Sequence, residues 1–121
     1  DGDKVKMEYI PASISISAAD ASKYPEWSAS DRIEESIKDW SKWPNFELFE
    51  RSTITVAGVE AEFISYQVDG FFGEPLLLYQ IDVFFDHDGI QWHIGAEGDI
   101  EMAEMLRADF DHVIETFMIL D

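Results

Sequence analysis

The stretch from Glu74 to Phe117 constrains the fold most, because an apolar strand, a tight turn, a second strand and an amphipathic helix follow one another in it without interruption. The first strand, Leu76–Phe85, carries apolar side chains on both of its alternating faces, which is typical of a strand covered from both sides. The Asp88-Gly89 dipeptide after it predicts a two-residue hairpin turn that sets Phe85 opposite Trp92. The sequence therefore predicts an antiparallel hairpin at the centre of a sheet.

A helix over residues 99–117 is predicted directly after this hairpin. Apolar side chains recur in it every three or four residues, so they form one stripe along a helix that rises about 1.5 Å per residue. A stripe of this length needs a sheet to lie against. Its members are Met102, Leu106, Phe110, Val113 and Phe117.

The first half of the chain has the pattern of a strand, a helix and a second hairpin. Ile14 and Ile16 alternate with serines, which predicts a strand with one buried face. Ser28 and Asp31 form a capping-box pattern at the start of a helix, and Ile33, Ile37 and Trp40 would form its apolar stripe. The predicted elements are a strand over Met7–Ala18, a helix over 28–43, and strands over Phe46–Val56 and Val59–Val68 joined by an Ala57-Gly58 turn.

This order of elements predicts an α+β fold, an antiparallel sheet with helices packed on both faces. At 121 residues, the chain is long enough for one domain that buries roughly two-thirds of its unfolded surface. We predict that residues 1–11 are a flexible lead-in with the start of the first strand, and that residues 12–121 form the domain.

The charge of the chain is strongly acidic and unevenly distributed. The formal net charge is -18, and residues 43–121 contribute -15 of it, with only Arg51 and Arg107 against seventeen acids. Such a field argues against nucleic acid and anionic lipid as partners, since phosphate binding needs clustered Lys and Arg. A protein partner with a basic patch, or a cation, is compatible with it. The alternative is that the acids are solvated faces or an adaptation to salt.

The cell compartment is only partly constrained by the sequence. The chain contains no cysteine, so it has neither a disulfide framework nor thiol chemistry. No apolar run approaches the ~20 residues of a membrane span. The sequence opens at Asp1 without an initiator Met, and we expect a mature or trimmed soluble domain, with a lipid anchor outside it left open.

The order of the motifs resembles the PsbP-like family over residues 12–120. The matching segments are Ser13–Ser17, Phe46–Leu48, Thr55–Ala61, Asp82–Phe85 with the Asp88-Gly89 turn, and Phe110–Phe117. The resemblance implies an exported or lipid-anchored, non-catalytic bacterial or archaeal protein of unknown role, located outside the cytoplasm. Plant members of this family assist photosystem II, and the same fold serves a nuclear Ran-binding factor. The basic extension through which plant members dock has no counterpart in Asp1–Met7, and no family site residue carries over.

The hairpin turn also has the beginning of a calcium-loop pattern, Asp86-His87-Asp88-Gly89. Calcium takes six to eight oxygen ligands, and the distal Glu of an EF-hand is missing after this segment. Two interpretations therefore stay open, a plain hairpin turn or a cation site that uses Asp86 and Asp88. No other metal site and no cofactor is predicted.

His93 is the most informative titratable residue of the second hairpin. It alternates with Trp92, so it should lie on the other face of its strand, near Phe84 and diagonal to Asp82 or Asp86. An imidazole paired with a carboxylate could be a base, a ligand or a structural support. No catalytic nucleophile, base and orienter set is recognisable, so no catalytic residue is predicted.

Two function classes remain open. The first is a non-catalytic extracytoplasmic interaction or accessory module that engages a protein partner through the Phe71-Phe72 loop or the acidic second half. The second is a small-ligand binding protein or hydrolase with a pocket between the sheet and the first helix, lined by Trp27, Trp43 and His93. The partner, the ligand and the oligomeric state do not follow from the sequence.

Overall fold

The computed structural model describes residues 13–20, 28–69 and 77–119 of the chain. These ranges contain one antiparallel sheet and two α-helices, which confirms the predicted α+β class. The strands are β1 (Ser13–Asp20), β2 (Glu47–Val56), β3 (Val59–Asp69), β4 (Leu77–His87) and β5 (Ile90–Asp99); the helices are α1 (Ala29–Trp40) and α2 (Ala103–Thr116), and a 3-10 turn over Ile100–Met102 precedes α2.

The sheet has the strand order β1-β5-β4-β3-β2, and every neighbouring pair is antiparallel. Two-residue turns join β2 to β3 and β4 to β5. In the second turn Asp88 and Gly89 have φ values of 51° and 77°, the two left-handed residues of a type I′ turn. This turn fixes the register, and Phe85 lies opposite Trp92 as predicted.

Helix α2 covers one side of the sheet, which we call the α2 face. Leu106 and Phe110 of the predicted stripe are buried there, and the ring of Phe110 meets the edge of Phe63 at a centroid distance of 6.4 Å. Phe117 packs against the same cluster. The buried strand residues of this face are Val56, Ala61, Phe63, Tyr79, Ile81, Val83, Phe85, Ile94 and Ala96.

Helix α1 covers part of the opposite side, the α1 face. Ile33 is fully buried in it, and Ile37 and Trp40 pack beside it, so the stripe expected from their spacing is confirmed. The capping box is also present, since Ser28 Oγ accepts from the Asp31 amide at 3.2 Å and the Ser28 amide donates to the Asp31 carboxylate at 3.0 Å. Helices thus pack on both faces of the sheet.

Some details differ from the sequence prediction. Helix α1 ends at Trp40 rather than at residue 43, and the chain then turns through Asn45, whose φ is 61°. Ile16 was expected on a buried face but is 48% exposed, because β1 is an edge strand and pairs with β5 alone. The predicted lead-in of residues 1–11 lies outside the described residues.

Candidate functional site

The α1 face changes from apolar to polar across the sheet. Under α1 it is built from Ile64, Val68 and Phe84, which form the second core cluster. Beyond the helix, towards β5 and β1, the same face carries polar side chains around a cavity of about 110 Å³. We call this cavity the polar groove; it is lined by Ser13, Ser15, Gln80, Asp82, His93, Gly95, Ala96 and Glu97.

Asp82 is the centre of a hydrogen-bond network in the groove. Its Oδ1 accepts a hydrogen bond from His93 Nε2 at 2.7 Å, and its Oδ2 accepts from the hydroxyl of Tyr66 at 2.6 Å. Both carboxylate oxygens therefore have a donor. Because a carboxylate only accepts, His93 donates this hydrogen bond through the proton on Nε2. The other ring nitrogen, Nδ1, takes no part in the contact with Asp82.

Tyr66 closes the network from the core side. Its side chain is buried, and its hydroxyl also lies 2.8 Å from Gln80 Oε1. Burial raises the pKa of Tyr66 far above its ordinary value, and the charge of Asp82 raises it further, followed by the hydrogen bond to Asp82 and the charge of Glu97. The phenol therefore stays protonated and acts as a fixed hydrogen-bond donor to Asp82.

The imidazole of His93 is held in place by its neighbours. It stacks on Phe84, directly opposite on β4, with ring centroids 4.5 Å apart and an interplanar angle of 21°. The guanidinium carbon of Arg32 lies 5.0 Å from the centroid of Phe84. Position 95 is also matched to the ring, since a Cβ at Gly95 would lie 3.0 Å from His93 Cε1. The groove is thus preorganised around one orientation of His93.

Serine residues of the edge strand form the outer wall of the groove. Ser15 lies opposite Gly95 in the β1–β5 ladder, and Ser17 lies opposite His93. The face of β1 that carries these serines is the one that joins the groove, whereas Ile14 packs on the α2-face cluster. The alternation of isoleucine and serine in β1 therefore separates core from groove.

The residues predicted for a pocket are only partly brought together. His93 lines the groove next to Phe84 and is bonded to Asp82, as its strand position predicted. Trp43 is elsewhere on the α1 face, 39% exposed, with its ring 5.7 Å from that of Trp40. Trp27 and the Phe71-Phe72 loop lie outside the described residues.

The two predicted cation ligands have other partners. Asp86 Oδ2 accepts a hydrogen bond from the Ala29 amide at 2.9 Å, at the start of α1, and its Oδ1 accepts from Gln91 at 3.2 Å. Asp88 is a turn residue whose carboxylate lies 3.2 Å from His87 Nε2. Within residues 13–20, 28–69 and 77–119, no group of three or more His, Asp or Glu side chains is arranged to hold a metal ion.

A second cleft, of about 220 Å³, lies at the start of α1. It is lined by Ser28, Ala29, Ser30, Glu60, Ala61, Glu62 and Asp86. Its carboxylates are surface residues of β3 and the helix-capping Asp86, and Glu60 is exposed. This cleft provides a matched acidic control for experiments on the polar groove.

Tyr66, Gln80, Glu97 and the two serines of the groove were not identified as site residues from the sequence. A signal for them exists in the alternation of the strands. The positions of β4 that face α1 include Gln80 and Asp82 between Leu78 and Phe84, whereas the alternate positions from Leu77 to Phe85 are all hydrophobic. Two polar residues inside an otherwise apolar strand face indicate a place where the helix does not cover the sheet.

Comparison with known proteins shows the fold alone. No family model and no curated protein matches the chain. Among solved structures, PA94 from Pseudomonas aeruginosa, a protein of unknown function and candidate regulator, matches with a TM-score of 0.72 and 18% identity over 93% of this chain and 76% of its own. LpqN of Mycobacterium tuberculosis, involved in cell envelope biogenesis, matches with a TM-score of 0.61 and 15% identity over 92% of this chain.

The chain spans 64% of the length of LpqN, so a third of that protein has no counterpart in it. Identities of 15% and 18% do not carry a ligand or a partner from either protein to this one. In the described part of the chain, neither helix has the length and apolar character needed to span a bilayer.

Proposed function

We propose that the protein is a non-catalytic accessory domain that works outside the cytoplasm, in the cell envelope, and binds a protein partner through the polar groove. The fold it shares with LpqN, which is described as involved in cell envelope biogenesis, supports the envelope role. The resemblance to the PsbP-like family supports the same assignment. The acidic charge of the chain repels nucleic acid and anionic lipid, and therefore favours a protein as the partner.

The observation that carries the proposal is the carboxylate of Asp82 in the middle of the sheet. Its side chain is 17% exposed, on a strand whose neighbours Leu78 and Phe84 are buried core residues. A charged group at such a position lowers stability relative to an apolar residue unless its interactions are complete. Residues that break the local pattern in this way concentrate at functional sites.

The size of the groove supports a protein partner over a free small molecule. Its volume of about 110 Å³ is well below the ~300–1,000 Å³ of pockets that enclose a drug-sized ligand. One side chain of a partner fills it. The rest of the partner would then lie over the exposed surface of β1 and β5.

The test is capture of a partner from the envelope fraction of source cells by the immobilised domain. Wild type is compared with Asp82→Asn and Glu97→Gln in the groove, and with Glu60→Gln in the second cleft, which removes the same charge. We expect a partner that wild type and Glu60→Gln retain equally and that both groove variants lose. A partner retained by all four proteins contradicts the assignment of the groove.

Two further surfaces stay as proposals. For the Phe71-Phe72 segment, the double substitution Phe71→Ser with Phe72→Ser should leave folding intact and abolish capture of the partner. Unchanged capture refutes a role of this segment in binding.

For the cation site at Asp86 and Asp88, calcium should raise the melting temperature of wild type but not of Asp88→Ala. Equal shifts in the two proteins reject the cation site.

The second candidate function, a small-ligand binder or hydrolase, is favoured by one observation. The Asp82–His93 pair has the geometry of a carboxylate that orients an imidazole, with serine side chains on the adjacent strand. A panel of p-nitrophenyl esters tests it. Turnover that disappears in His93→Gln and in Ser15→Ala would establish a hydrolase and would overturn the non-catalytic proposal.

A further inference from the structure

We infer that the polar groove binds the cationic side chain of a lysine or arginine on the partner protein. This inference rests on the proposed function and adds the chemical class of the ligand. It is carried by the kinds of atoms that the groove presents, by the network that holds them and by the charge of the surrounding surface.

Two carboxylates line the groove, those of Asp82 and Glu97, and no lysine or arginine is among the lining residues. The other polar side chains of the lining are Ser13, Ser15, Gln80 and His93. Within the described residues, Glu97 forms no hydrogen bond and no ion pair, and its side chain is exposed. An ammonium or guanidinium group, which only donates, is complementary to the two carboxylates.

The two carboxylates act in the same small volume. Asp82 and Glu97 both line the groove, and their charges raise the pKa of the buried Tyr66 phenol, whose hydroxyl lies 2.6 Å from Asp82 Oδ2. Tyr66 donates to Asp82 as a neutral phenol and so leaves the charge of the carboxylate in place. A cation that enters between Asp82 and Glu97 therefore meets two anions in a partly desolvated site, where the attraction is stronger than in water.

The positions of these groups do not depend on the ligand. Tyr66 is fixed in the core, His93 is stacked on Phe84, and Gly95 leaves the space that the imidazole fills. A binding group that is held in place before the ligand arrives loses little conformational entropy on binding. In the second cleft, by contrast, Glu60 is exposed on β3, and Asp86 is engaged by the Ala29 amide at the start of α1.

The charge of the whole domain favours the same ligand. Residues 43–121, which supply β4 and β5, carry a net charge of -15. A field of one sign steers oppositely charged partners towards the surface and raises their rate of association, more so at low salt. A basic partner segment is therefore attracted before its side chain enters the groove.

The test uses small probes and the intact domain. Nα-acetyl-lysine methylamide and Nα-acetyl-arginine methylamide are titrated while the Gly95 amide and the His93 ring signals are followed by NMR. Nα-acetyl-norleucine methylamide, which has the lysine stem without the charge, is the control ligand. We expect saturable shifts at Gly95 and His93 with lysine or arginine and none with norleucine.

Substitutions in the domain test whether the groove itself binds the lysine and arginine probes. Glu97→Gln should weaken lysine or arginine binding by about tenfold, as expected for a lost charge-assisted contact, and Glu60→Gln should leave it unchanged. Equal weakening in the two variants would show attraction to the general field only and would overturn the inference. Equal shifts with norleucine would overturn it as well.

A further comparison tests whether the bound cation belongs to a protein or to a free polyamine. Tighter binding of a Gly-Gly-Lys-Gly-Gly peptide than of putrescine supports a protein ligand, and the reverse overturns it.

The probe titration and the capture experiment can fail independently. If the probes do not bind while groove variants still lose the envelope partner, the inference fails and the proposed function stands. If the probes bind but the partner is retained by Glu97→Gln, the proposed function fails and the cation site stands.

Discussion

The two faces of β4 differ although they belong to one strand. On the α2 face, alternate residues are Tyr79, Ile81, Val83 and Phe85, all buried. On the α1 face, Leu78 and Phe84 are buried, but the two positions between them are Gln80 and Asp82. One face is therefore a continuous core, and the other is core under α1 and a polar surface beside it.

This difference teaches how a small domain combines stability with a polar site. The α2 face supplies an uninterrupted apolar layer against Leu106 and Phe110. The α1 face can then carry Asp82 near the centre of the sheet, because Tyr66 and His93 complete its hydrogen bonds. If this division is correct, substitutions on the two faces should differ in size and in kind.

The largest effect is expected on the α2 face. Phe110→Ala removes a fully buried ring that packs on Phe63, and we expect the free energy of unfolding to fall by about 3–5 kcal/mol. Urea unfolding followed by tryptophan fluorescence measures it. Met105→Ala on the exposed side of the same helix, where the side chain is 58% exposed, should change stability by no more than about 0.5 kcal/mol. A similar loss in both variants would contradict the position of the core.

A smaller and coupled effect is expected in the groove. Asp82→Ala leaves the buried Tyr66 hydroxyl without its charged acceptor, and we expect a loss of about 1–3 kcal/mol. In the Tyr66→Phe background the same substitution should cost less, because the hydroxyl is already gone. The double-mutant cycle should give a coupling energy of at least about 0.5 kcal/mol. Additive losses would show that the Tyr66–Asp82 contact does not contribute.

The raised pKa of Tyr66 predicts a pH dependence at alkaline pH. The folded protein keeps the Tyr66 proton above pH ~10, where an unfolded tyrosine loses it. The stabilisation is therefore complete below pH ~10 and is lost as the pH rises above it, by up to about 1.4 kcal/mol per pH unit. Unfolding free energies of wild type and Tyr66→Phe between pH 9 and 11 measure the difference. Parallel curves for the two proteins would contradict a buried, protonated Tyr66.

The smallest effect on stability is expected at Gly95. In Gly95→Ala the new methyl group would lie 3.0 Å from His93 Cε1, so the imidazole that is bonded to Asp82 must shift. We expect a loss below about 1.5 kcal/mol, in the range of a single hydrogen bond, and a clear change in the His93 ring NMR signals. The same substitution should be nearly neutral in a His93→Ala background. An unchanged His93 spectrum in Gly95→Ala would refute this role of the glycine.

The local parts of the fold could be predicted from the sequence. The Asp88-Gly89 turn has two residues that accept positive φ, and a two-residue turn leaves one register, so the pair Phe85–Trp92 followed directly. The Ser28 capping box marked the start of α1 for a similar local reason. Each of these predictions depends on residues that are neighbours in the chain.

The groove could be predicted only in part because its walls are distant in sequence. His93 was expected diagonal to Asp82, since both belong to one hairpin. Tyr66 comes from β3, and no turn rule sets its register against β4. The serines come from β1, which pairs with β5 although 69 residues, 21–89, separate the two strands in the chain. The extent of α1 over the sheet, which decides which polar residues stay uncovered, is set by packing rather than by local pattern.

The position of β1 at the rim of the sheet has a consequence for how such a domain diversifies. Ser13 and Ser15 are exposed, and neither belongs to a core cluster. If the groove binds a partner as proposed, substitutions at these two positions would change the surface that the partner contacts and leave the apolar layer beneath α2 unchanged. The binding preference of such a domain could then change through one edge strand, at little cost to folding.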